Sequence, residues 1–137
     1  MATTSKKICG IILLTMPSIQ YGGYFLLQLL SGGYAELELT EFQRSMFRAG
    51  HAHAGVLVIL SLLVQWLTDH ARLTPVWEWM ARMNFPLAAI LISGGFFAGA
   101  AGKGTVEPTG GIALLYAGVV ILAAGFLILG IGLLRSK

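Results

Sequence analysis

The sequence predicts an all-α fold: an integral membrane four-helix bundle, antiparallel, with both termini cytoplasmic. Three observations predict it. Of 137 residues 56% are hydrophobic and 11% charged, with a mean hydropathy of +0.79, far from the balance of a soluble domain. The apolar residues gather in four stretches, each near the ~20 residues a helix needs to cross a ~30 Å hydrocarbon core. The connections between them, SGGYAELEL, TDHARLTP and GKGTVEPTGG, are short and polar or glycine-rich, as turns between antiparallel neighbours are.

The spans are expected at about 8–30, 47–67, 79–101 and 111–134, so that residues 1–137 make a single transmembrane domain. Helices are the economical reading, because lipid cannot satisfy open backbone groups and the alternation of a barrel strand is absent. The first stretch contains Pro17 and a few polar side chains. It is too long for the apolar core of a cleaved leader and carries Gln20 and Gln28, so it is expected to remain as a span. The second is preceded by Thr40, Glu41 and Gln43, a capping-box pattern that starts the helix several residues before its embedded part. The fourth carries no charge.

Charge placement sets the orientation. With both ends inside, Lys6, Lys7, Arg72, Arg82, Arg135 and Lys137 lie on the inner side and Arg44, Arg48 and Lys103 on the outer, six against three, the bias of a cytoplasmic face. Trp66, Trp77 and Trp79 then gather at the inner boundary, where indoles commonly sit. The expected location is a bacterial inner (plasma) membrane. The net charge of +3 is spread singly at the ends of apolar runs, which argues for lipid and against nucleic acid as the partner. A single cysteine, Cys9, excludes an internal disulfide framework and is read as structural.

The chemistry concentrates in FRAGHAHAGVL, where His51 and His53 enter the second span. At ~100° per residue they point about 200° apart, unlike the i, i+4 pair of a helical zinc site, so they are expected to serve two surroundings instead of gripping one ion together. Arg44, Arg48, His51 and Gly55 form one stripe; Met46, Gly50, His53 and Leu57 lie near the other side. Both histidines fall roughly 5 to 10 Å below Arg48 at ~1.5 Å per residue, in the outer leaflet. Gln20, Tyr24 and Gln28 share a face of the first helix and are expected to converge with a histidine, since polar side chains in lipid turn inward.

Neutral imidazoles at that depth suit axial ligation of haem iron or binding of a transition metal. Equally, they suit interfacial hydrogen bonding without a cofactor. Arg44, Arg48 and Lys103 suit haem propionates or a quinone headgroup, or act as snorkelling anchors. His70, beside Asp69, lies about 25 Å along the axis from His53, too far to complete an outer site. Met80 and Met83 are expected to pack. Gly22, Gly23, Gly94, Gly95, Gly99 and Gly102 allow close helix packing or the approach of a flat ligand, packing being the stronger reading. No hydrolase motif is present, no carboxylate pair is placed within a span, and no central charge of the kind ion-coupled carriers use.

Gly50 to Leu57, GHAHAGVL, resembles the histidine-bearing helices of haem-copper oxidase subunit I and of NnrS-type haem and copper membrane proteins. The similarity covers about a dozen residues. It implies haem b or copper as cofactor, with His51 and His53 as ligands. The oxidase fold has twelve helices and at least six ligand histidines; this chain offers three, so the resemblance leaves room for a single site. It also implies a homo-oligomer, or a methionine, water or substrate, to complete the coordination.

The expected function is haem or metal binding through His51 and His53, with Arg48, Arg44, Tyr24 and Gln28 around the ligand. Electron transfer or sensing would follow, with quinone among the partners; as an enzyme the chain would be a redox membrane protein. The alternatives are a cofactor-free structural or accessory membrane subunit and a small metal-ion permease.

Overall fold

A computed structural model describes residues 1–34 and 37–136. The expected turn residues Ala35 and Glu36 and the basic Lys137 lie outside the described residues. Among those described there are four long helices and no strand: α1 Thr3–Leu30, α2 Glu41–Thr68, α3 Pro75–Gly99 and α4 Ala113–Leu134, the last entered through a 3₁₀ turn, Gly110–Ile112. All four are long and apolar enough to cross a membrane. They run several residues past the expected spans at the start of α1, α2 and α3, because polar residues outside a hydrocarbon core can still complete helical turns.

The helix ends follow local chemistry. Thr40 Oγ1 accepts from the Gln43 N–H and the Gln43 side chain accepts from the Thr40 N–H, both at 3.1 Å, so the expected capping box forms. Pro75 opens α3, where a missing N–H costs nothing. At the end of α1, Gly32 takes φ +84° and the Gly33 N–H reaches back to the Gln28 carbonyl at 2.8 Å, the bond that closes a Schellman stop.

Neighbouring helices are antiparallel. Ser5 meets Asp69 while Gly23 meets His51; Gln65 meets Arg82 while Gly50 meets Phe97; Gly95 meets Leu115 while Gly125 meets Phe85. The core lies between α2, α3 and α4, in one layer around Leu57, Ala88, Ala89 and Ile92 and another around Val64, Ala81, Phe85 and Leu129. A Cβ at Gly95 would run into the backbone of Leu115, so glycine there lets α3 and α4 touch main chain to main chain. α1 packs chiefly on α2 and stands apart from α4. That asymmetry leaves a long cleft along α1.

Candidate functional site

The two histidines leave α2 on different sides, as their spacing predicts. His51 is half-buried and turns towards α1. Its Nε2 lies 2.9 Å from the point where a Cβ on Gly23 would stand. Only a glycine lets the ring seat there. The same point lies 3.1 Å from Cε1, so it is the Nε2–Cε1 edge of the ring that rests over Gly23. His51 closes one end of a groove of about 300 Å³, shared with Gly22, Phe25, Leu26, Phe47 and Phe97.

His53 is exposed on the flank of the bundle, its ring 4.9 Å from that of Phe96 in α3. Its Nδ1 is 2.8 Å from the Ala49 carbonyl. A carbonyl only accepts, so Nδ1 carries the proton and the neutral ring keeps its lone pair on Nε2, the nitrogen a metal would take. His70 makes the same bond to Trp66 O at 2.9 Å. The bond is therefore ordinary helix chemistry; what distinguishes His53 is its position inside an apolar helix instead of at its end.

The expected satellites do not gather. Tyr24 and Gln20 are exposed and outside the histidine groove, because Gly22, Phe25 and Leu26 occupy the face of α1 that meets α2. Gln28 folds its Oε1 over Gly33. Arg44 lies 3.9 Å from Glu41 and its Nε donates to the Leu39 carbonyl at 3.4 Å. Arg48 and Lys103 are exposed, as anchors are. No group of three or more His, Cys, Asp or Glu able to hold a metal occurs among the described residues. At this end of the bundle one chain thus presents a single open imidazole, His53, while the other open one, His70, stands at the far end of α2; further ligands at His53 would have to come from outside the chain.

The most connected polar site lies at the other end of the bundle, and the sequence reading passed over it. Arg82, counted above as a boundary charge, is 2% exposed. Its Nη2 donates to Asp69 at 2.8 Å and to Glu78 at 2.7 Å, and its Nη1 to the Ser5 hydroxyl at 2.6 Å and the Gln65 carbonyl at 3.2 Å. Ser5 and the Ala2 N–H in turn donate to Asp69, at 2.5 and 2.7 Å. Burial by itself would raise the Asp69 carboxyl; the Ser5, Arg82 and Ala2 hydrogen bonds and the guanidinium charge hold it at about 2. The cluster pins the start of α1 to the α2–α3 corner. Its signal was legible: Glu78 and Arg82, like Gln65 and Asp69, are spaced i, i+4 on facing helices.

No protein family, curated protein or solved structure matches the chain. Its chemistry has to be read from its own residues. Polar groups are buried at the Arg82 end and sparse in the middle. At the opposite end two imidazoles differ in availability: one is packed, one is open.

Proposed function

We propose that this is an integral membrane protein, with both termini cytoplasmic and the histidines in the outer leaflet, that binds haem or a transition metal through His53. The observation that carries the reading is the Ala49-bonded Nδ1 of His53, which leaves Nε2 free on an exposed flank of an apolar helix. An imidazole facing lipid alone is costly; a cofactor, or a second copy supplying the opposite ligand, removes that cost. Haem held there would supply one-electron exchange, which suits electron transfer or sensing. Arg48, one and a half turns nearer the surface, is the residue suited to a propionate. His51 has the supporting role, filling the gap at Gly23.

The inner-face excess of Lys and Arg and the exposed Trp66, Trp77 and Trp79 near the Arg82 end support the orientation. The test is the optical spectrum and metal content of protein purified in detergent from haem- and copper-replete cells. A Soret band, or stoichiometric copper, that is lost in His53→Ala and kept in His51→Ala is the expected result. A colourless, metal-free preparation would leave the accessory-subunit reading in its place.

A further inference from the structure

α1 is held at its two ends and unsupported between them. Among the described residues, every hydrogen bond that ties it to the rest of the bundle falls at its start: the Ala2 N–H and the Ser5 hydroxyl donate to Asp69, Arg82 donates to Ser5, and the Cys9 thiol faces the Leu62 carbonyl at 4.0 Å. Its buried residues are Ser5 and Ile12 towards one end and Leu26 and Leu29 towards the other, with none between. The far end is seated by those leucines and by His51 over Gly23. Beneath its middle the helix stands off from α2 and α3 over a cleft of about 430 Å³.

That unsupported stretch contains the weakest turn of the helix. Pro17 has no N–H, so the Leu13 carbonyl loses its helical donor. The neighbouring hydroxyls do not make good the loss: Thr15 donates to the Ile12 carbonyl and Ser18 to that of Thr15, both at 2.6 Å, bonds that themselves bend a helix. The proline of α3 is treated differently. Its gap, at the Arg82 carbonyl, is closed by the Gln65 side chain at 2.9 Å. One proline is braced from a neighbouring helix; the other stands open above a cleft, where a helix bends most readily. We propose that α1 is hinged at Pro17 and latched by Asp69: residues 3–16 swing away from α2 and α3 when Asp69 releases Ser5 and the Ala2 N–H, while residues 18–30 stay seated on His51. Water at the end of the bundle replaces the polar donors of the latch, whereas it cannot replace the apolar contacts of Leu26 and Leu29. The arm therefore opens from the Asp69 end, widening the cleft and leaving the groove at His51 as it is. The hinge does not rest on ligation at His53.

The test places two nitroxide pairs, one at a time, in the full chain carrying Cys9→Ser, in phosphatidylcholine nanodiscs. Lys7→Cys with Arg135→Cys spans the Asp69 end, and Tyr21→Cys with Leu114→Cys spans the other; all four positions are exposed. Lys7 is ten residues from Pro17, ~15 Å along the axis, so a bend of ~20° moves it by about 5 Å. With the latch intact, pulsed electron resonance should give one distance for each pair. Asp69→Asn, and Ser5→Ala to a smaller degree, should add a second population about 5 Å longer at the first pair only. Adding Pro17→Ala should remove it. Ser5→Ala decides the matter if Asp69→Asn fails to fold. A single unchanged distance in the latch variants, equal changes at both pairs, or a second population that survives Pro17→Ala overturns the proposal.

Discussion

The side-chain amide of Gln65 donates to the backbone carbonyl of Arg82 at 2.9 Å, taking the place of the helical bond that Pro86, lacking an N–H, cannot give to the residue one turn before it. A proline in the middle of α3 thus leaves a carbonyl open, and a buried glutamine from α2 closes it. The two residues are 21 positions apart in sequence and answer one local need.

This pairing makes Gln65→Leu costly, by about 1–3 kcal/mol for an orphaned buried carbonyl. In the Pro86→Ala background the helix supplies its own donor, and the same substitution should cost markedly less. Chemical or thermal unfolding of the four proteins of this cycle in detergent measures the coupling; additive losses would refute the link.

Arg82→Met should destabilise by about 3–5 kcal/mol, because it leaves Asp69 buried without its cation. Adding Asp69→Asn should recover part of that loss. A thermal melt of both variants checks it, and an Arg82→Met protein as stable as the parent would show the cluster to be ornamental.

Asp69 gives the cluster a pH dependence. Its carboxyl, held at about 2 in the fold against 3.8 in an unperturbed aspartate, binds protons more weakly folded than unfolded. Its contribution, about 2 kcal/mol at 1.36 kcal/mol per unit, is therefore full above pH ~4 and lost as pH falls from ~4 to ~2. Asp69→Asn should flatten the stability curve in that window and leave its shape near neutrality unchanged. The measurement is the unfolding midpoint against pH for the two proteins.

Gly23→Ala places a methyl 2.9 Å from His51 Nε2. The ring or α1 must shift, at a cost of about 1–3 kcal/mol for overpacking. The double variant Gly23→Ala, His51→Ala should regain stability, since the smaller side chain removes the clash. Failure of that rescue would mean the two do not share one space in solution.

Much of the architecture was legible in the chain. Four apolar runs of spanning length, the Thr40–Gln43 cap and the polar connections dictate four helices in sequence order, because length, hydropathy and caps act locally. The opposed directions of His51 and His53 follow from helical pitch alone. The convergence of Tyr24 and Gln28 on the histidines does not occur, since a shared helix face says nothing of which face meets a neighbour.

What the linear order decided is therefore the number of helices, their ends and the periodic placement of polar groups along them, all consequences of backbone hydrogen bonding over a few residues. Only the assembled bundle decided which of those groups are used: that Gly23 receives an imidazole, that Gln65 mends the break at Pro86, that Arg82 is buried with Ser5 and paired with Asp69, and that the Ser93 hydroxyl is enclosed without a partner. These depend on how far α1 stands from its neighbours and how each helix is rotated. Both are fixed by long-range packing between side chains that the chain itself places tens of residues apart.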